Sequence, residues 1–81
     1  FMSWFLNFLD LLEYFMKNPG QTLPRSMILS YVWGASSEVE EGNLDNYIYF
    51  LRRRLKSLNA PVKLTTVHGT GYRLEHREDE Y

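Results

Sequence analysis

From residue 1 to residue 17 the chain is apolar at most positions, while Ser3, Asn7, Asp10, Glu13 and Lys17 recur every three or four residues. That spacing predicts a helix with one narrow polar stripe, buried over most of its circumference. Ser3 is placed to cap its start, and Asn18-Pro19-Gly20 ends it through turn chemistry. Leu9, Leu12 and either Phe15 or Met16 should face the rest of the domain. Trp4, Phe5 and Phe8 then need another partner, and Trp4 and Phe8 are expected to be substantially buried. The run is shorter than the roughly 20 residues of a membrane span, and polar side chains interrupt it. Its polar stripe is not rich in Lys or Arg, as that of an interfacial helix would be. No membrane contact is expected, and no basic segment or small-residue cleavage site marks a signal peptide.

A second helix is predicted from about Arg25 to Trp33, with Thr22 or Leu23 in the cap region and Pro24 in the first turn. Met27, Ile28, Tyr31 and Val32 give its apolar face, and Gly34 stops it. The acidic stretch Ala35–Gly42 reads as a loop. The third helix starts near Asn43, which can cap it, with Asp45 in the first turn. Leu44, Ile48, Leu51, Leu55 and Leu58 form its buried stripe, which leaves Asn46, Tyr49, Arg52, Arg53 and Lys56 mostly off it. Asn59-Ala60-Pro61 ends this helix. Two β-prone runs, Val62 to Val67 and Tyr72 to Leu74, then flank Gly69-Thr70-Gly71 and predict a tight hairpin. Residues 1–75 read as one domain and residues 76–81 as a charged, frayed tail.

With 81 residues, one small domain is all the chain can form, and a content of 44% hydrophobic residues is enough for a core. No Cys is present and the two His are far apart, so neither a disulfide framework nor a metal site is expected, and no cofactor is implied. The net charge of −1 argues against a nucleic-acid partner. The distribution of charge reverses that inference, because Arg52, Arg53, Arg54 and Lys56 concentrate positive charge on one helix. Local potential governs phosphate binding more than the total does.

A basic helix followed by a small hairpin is the layout of a winged helix. The helix enters the major groove of DNA and the hairpin touches the backbone or minor groove. The expected fold class is therefore α+β, a three-helix winged helix-turn-helix with a C-terminal β-hairpin wing. Carboxylates at Asp10, Glu13, Glu38, Glu40 and Glu41 have no pocket, nucleophile or phosphate loop to work with, so an enzyme is not expected.

Several motifs fall in an order that resembles the C-terminal effector domain of OmpR/PhoB-type response regulators. They are Leu11-Leu12-Glu13-Tyr14, Asn18-Pro19-Gly20, Arg25, Val32-Trp33-Gly34, Leu44-Asp45, Ile48, Leu51-Arg52-Arg53, Thr66-Val67 and Gly69-Thr70-Gly71-Tyr72-Arg73-Leu74. The resemblance covers about residues 9–75. It implies a cytoplasmic transcription regulator of a two-component system that binds double-stranded DNA at tandem promoter repeats, under control of a phosphorylated receiver domain. It also implies that Leu44–Leu58 is the recognition helix and that Ala35–Gly42 faces RNA polymerase. Trp33, Tyr47, Tyr49, Arg52 and Arg53 would contact phosphate or lie beside the groove, and Thr66 and His68 would sit on the wing. The candidate DNA-binding set is Asn46, Tyr47, Tyr49, Arg52, Arg53, Lys56, Thr66 and His68, while Trp33 reads first as core packing that supports the turn. From the residues alone, His68 reads either as an exposed loop residue with no task or as a pH-sensitive contact in the minor groove. Tyr47, Tyr49 and Phe50 serve packing first, with Tyr49 the most exposed.

This sequence departs from the family pattern in three ways. It opens on the first helix, where the family has a small antiparallel sheet ahead of it, and it carries no receiver. Large apolar residues, among them Phe5 and Phe8, stand at positions that are polar in the family. Family arginines are replaced by Gly42 or Asn43, by Phe50 and by His68. A truncated or engineered chain would carry such departures. A second reading, of a different class, is a self-associating structural domain in which the aromatic first helix forms a core or homodimer interface and DNA binding is weak or lost.

Overall fold

The computed structural model describes residues 2–34 and 41–77, with side chains over residues 4–34 and 44–77. In chain order the elements are α1 (Met2–Lys17), β1 (Thr22–Pro24), α2 (Arg25–Trp33), α3 (Glu41–Ser57), β2 (Val62–Val67) and β3 (Gly71–His76). Three helices and the hairpin appear as the sequence predicts. The strand β1 is an addition, and it turns the hairpin into a three-stranded antiparallel sheet of order β1-β3-β2.

Helix α1 begins at Met2, so Ser3 lies within it and not at its cap. At the other end the Asn18 side-chain amide donates to the Tyr14 carbonyl at 2.9 Å, and the Asn18 N–H donates to the Phe15 carbonyl at 3.1 Å. Gly20 then takes a φ of 77°, which the reversal requires. The inward arc of α1 is rotated from the expected one. Leu11, Tyr14 and Phe15 are buried, whereas Leu9 is 43% and Met16 63% exposed. Apolar residues cover nearly the whole circumference of this helix, so spacing alone does not select an arc. Packing against α2, α3 and β3 selects it.

Trp4 also differs from expectation. It remains 39% exposed and stacks flat on Phe8 and on Tyr47, with ring centroids 5.3 and 4.8 Å away. Phe8 is only partly buried against the core. No helix among the described residues is long and apolar enough to cross a membrane.

Helix α2 has the predicted span, but only Ile28 and Val32 of its four expected apolar positions are buried. Met27 is 54% exposed, and Tyr31, 44% exposed, stacks on Tyr14. Pro24 occupies the cap position and offers no side-chain hydrogen bond. The carbonyl of Thr70, in the hairpin turn, instead accepts the Arg25 N–H at 3.1 Å. One of the orphan donors at the start of the helix is thereby satisfied from the far end of the chain.

Helix α3 starts at Glu41, so Asn43 lies inside it and does not cap it. Residues 35–40 of the expected acidic loop lie outside the described residues. Leu44, Ile48 and Leu51 are buried and Leu55 packs partly against them, while Leu58, past the helix end, is 61% exposed.

In the sheet, Thr66 pairs with Tyr72 and Val67 with Gly71, while Leu23 of β1 faces Tyr72 from the other side. Leu23, Leu64, Tyr72 and Leu74 are buried and close the core beneath the helices. Gly69 turns the hairpin with a φ of 81°. Strand β3 runs to His76, and the Arg77 N–H bonds the Pro61 carbonyl at 2.8 Å. Residues 78–81 of the charged tail lie outside the described residues.

Candidate nucleic-acid interface

The stripe that buries α3 leaves an opposite face for other work. Asn46, Tyr49, Phe50, Arg53 and Ser57 are all exposed and recur at three- and four-residue steps, so they share one side of the helix. Arg53 is held on that side by Tyr49. Its Nη1 donates to the Tyr49 hydroxyl at 3.2 Å, and the guanidinium carbon lies 5.7 Å from the ring centroid. Lys56 is exposed at the edge of the same face nearest β2. Thr66, at the end of β2, and His68, in the hairpin turn, are exposed on the wing.

Two of the expected contact residues are placed differently. Tyr47 is buried, with Trp4 stacked on it at 4.8 Å and Trp33 edge-on at 5.1 Å. It lies toward α1 and is a wall of the core, away from the Asn46–Arg53 face. Arg52 is half-buried and already engaged. Its Nε donates to the Leu64 carbonyl at 3.1 Å and its Nη2 to the Thr66 hydroxyl at 2.7 Å. The guanidinium also lies over the Tyr72 ring at 5.7 Å. Arg52 therefore works as a strut between α3 and the wing, and one side chain fixes the spacing of the two candidate contact surfaces.

A second cluster fixes α2 to α3 and the wing. The Tyr72 hydroxyl donates to Asp45 Oδ1 at 2.7 Å, and Arg25 Nη1 donates to the same oxygen at 2.8 Å. Arg25 Nη1 also reaches the Tyr72 hydroxyl at 3.1 Å. Sequence reasoning missed this arrangement as a unit. Its members lie 27 and 47 positions apart, and no local spacing links them.

The hydrogen bonds from Tyr72 and then from Arg25 hold the Asp45 carboxyl below the usual carboxylate range. A depressed folded-state pKa contributes stability that is present above the unfolded value of about 3.9 and is lost as pH falls through the folded value. Glu75, bonded by Arg73 and Thr65, shifts in the same direction. The melting temperature should therefore fall as pH is lowered from about 5 to 3, and Asp45→Asn should flatten part of that fall. Thermal melts across this range check it, and identical pH profiles for the parent and Asp45→Asn would refute it.

A helix–turn–helix pair whose second helix presents a polar, cationic face, braced against the β2–β3 hairpin of a three-stranded sheet, defines a winged-helix DNA-binding domain. Residues 7–74 match the family described as "Transcriptional regulatory protein, C terminal". The chain belongs to that family, the effector domains of OmpR/PhoB-type response regulators.

Among its relatives is the transcriptional regulatory protein DltR of Streptococcus agalactiae, 42% identical over 67 residues that make up 83% of this chain and 30% of the relative. The sensory transduction protein RegX3 of Mycobacterium tuberculosis is 43% identical over 67 residues, 82% of this chain and 30% of the relative. The chain thus spans about 30% of the length of these curated relatives. Similar solved structures include the DNA-binding domain of Bacillus subtilis CssR, with a TM-score of 0.71 and 31% identity over 84% of this chain and 73% of that one. The DNA-binding domain of Escherichia coli CadC gives a TM-score of 0.76 and 31% identity over 93% of this chain and 71% of that one. Sequence-specific DNA binding in transcription regulation is the function of this class.

Proposed function

We propose that this domain docks on double-stranded DNA with the Asn46–Arg53 face of α3 in the major groove and the β2–β3 turn on the backbone or minor groove. The observation that carries this reading is the division of labour along α3. Leu44, Ile48 and Leu51 serve the core, while Asn46, Tyr49, Arg53 and Lys56 are exposed, with Tyr49 and Arg53 bonded to each other on the outer face. Arg53 and Lys56 neutralise phosphates, Asn46 reads a base edge, and Thr66 and His68 touch the strand beside the wing. Arg52 sets the distance between these surfaces and adds its charge to the phosphate field. The domain acts within the cytoplasm as part of a longer response regulator, and residues 35–42 meet RNA polymerase.

The test is the salt dependence of duplex binding. Each phosphate contact contributes a slope of about −0.9 in log K against log salt. Arg53→Ala with Lys56→Ala should therefore reduce the slope by about two and weaken all duplexes alike. An unchanged slope in the double variant refutes the assignment.

A second reading rests on the exposed arc of α1. Phe5 is 50%, Leu6 53% and Leu9 43% exposed on consecutive turns. Two copies of the chain pairing through this arc would cover an apolar surface that a monomer leaves to water. Sedimentation of the parent should then show a dimer, and Phe5→Glu with Leu9→Glu should yield a folded monomer. A parent that sediments as a monomer at high concentration excludes it.

A further inference from the structure

We propose that Phe50 is a base-reading residue that recognises the 5-methyl group of thymine, so that the preferred site carries a thymine beside the base read by Asn46. This inference rests on the DNA-binding reading above and deepens it by naming a feature of the target.

The starting point is a large apolar side chain where the fold does not need one. Phe50 is 47% exposed on the solvent side of α3, one turn beyond Asn46 and in the same sweep as Arg53 and Ser57. It forms the apolar part of a shallow hollow lined by Phe50, Arg53, Arg54 and Ser57. Its ring is held from behind. Trp4 meets it edge-on at 5.8 Å and Tyr49 at 5.2 Å, so the ring is braced by two neighbours. An apolar side chain that shares its hollow with Arg53 and Arg54 suits a surface that is apolar at one point and polyanionic around it. The major groove at a thymine has that character, since the C5-methyl projects into the groove between two phosphate walls. A protein partner would meet two uncompensated cations at the same place. Asn46 and Phe50 are four residues apart, about 6 Å along the helix axis. The bases they read then lie within about two base pairs of each other, at 3.4 Å per pair along a strand. Asn pairs bidentately with adenine, so the combined signature is an adenine and a thymine in close succession.

The test uses the 81-residue chain and duplex DNA alone. A pool of randomised duplexes is selected for binding. Each thymine of the selected duplex is then replaced singly by uracil, which removes only the methyl. One replacement should weaken binding about fourfold, the value of one buried methyl group. Phe50→Ser should bind the thymine duplex about fourfold more weakly and treat thymine and uracil alike, with the salt slope retained. Equal binding of thymine and uracil duplexes by the parent chain overturns the proposal, and so does a Phe50→Ser variant that keeps the thymine preference. In both cases the salt slope remains, which leaves the DNA-binding reading intact. Absence of any salt-dependent duplex binding by the parent defeats that reading, and this proposal with it. A Phe50→Ser variant that alters sedimentation but not DNA binding assigns the face to a second copy and overturns the proposal as well. The uracil series needs no altered protein, and where Phe50→Ser does not fold, Phe50→Gln is read in its place by the same loss or retention of the thymine preference.

Discussion

Gly71→Ala is expected to lower the melting temperature by at least about 12 °C, the equivalent of roughly 3 kcal/mol in a domain of this size. The strain does not come from the backbone dihedral, since Gly71 is not among the glycines with positive φ. It comes from contact. A β-carbon at residue 71 would stand 2.0 Å from the Leu23 carbonyl oxygen and 3.0 Å from the Arg25 nitrogen. Both atoms belong to backbone, so no side chain can swing away. Relief requires β1 to part from β3, which breaks the Pro24–Gly71 pairing and the Thr70 cap on α2 together. Gly69→Ala provides the comparison. Gly69 has a φ of 81° and nothing within 4 Å of the position a β-carbon would take. Its replacement should cost only about 1–2 kcal/mol of left-handed strain. Thermal melts of the two variants separate the causes, and a Gly71→Ala protein that melts within a few degrees of the parent would show that the sheet yields more readily than argued.

Phe15→Ala should be comparably damaging, and its neighbour should not. Phe15 is fully buried, whereas Met16 is 63% exposed. Truncating a buried phenylalanine costs about 3–5 kcal/mol through lost transfer energy and the cavity left behind. A domain of this length has a total stability on the order of 4–12 kcal/mol. Phe15→Ala should thus be substantially unfolded near 37 °C, while Met16→Ala should stay within about 0.5 kcal/mol of the parent. Urea titration with an unchanged m-value would report both. Equal midpoints for the two variants would mean that the inward arc of α1 is not the one described.

That pair of residues also marks how far the sequence could be read. Hydrophobic spacing locates α1, α2 and α3 because each is a long run, and the Gly69-Thr70-Gly71 turn between two β-prone runs locates the hairpin. It did not choose between Phe15 and Met16, because an almost wholly apolar helix has no single best arc. Strand β1 escaped notice because three residues ending in proline show no periodicity, and their partner in β3 is about fifty positions away. For Tyr47 the family resemblance implies a place beside the groove, and hydrophobic spacing along α3 does not decide the matter. Only the folded chain brings Trp4 and Trp33 over it. Of the residues proposed to contact DNA, Asn46, Tyr49, Arg53, Lys56, Thr66 and His68 are all visible in the sequence as polar or aromatic residues off the buried stripe or on the hairpin. Arg52 and Arg53 look alike in sequence, yet a rotation of 100° about the helix axis makes one a brace and leaves the other facing out.

The pairing of Thr22 with Arg73 has a consequence for the order in which the molecule is made. Strand β3 lies between β1 and β2, so the central strand of the sheet is the last to leave the ribosome. Until it arrives, β1 has no neighbour and α2 lacks its cap from Thr70. Loop closure across such a separation is entropically costly and is repaid only when β3 docks. A chain that lacks β3 should therefore expose more of the apolar surface of α1 to α3 than the finished domain does. Chains cut before residue 76 should be digested by protease faster than chains that include β3.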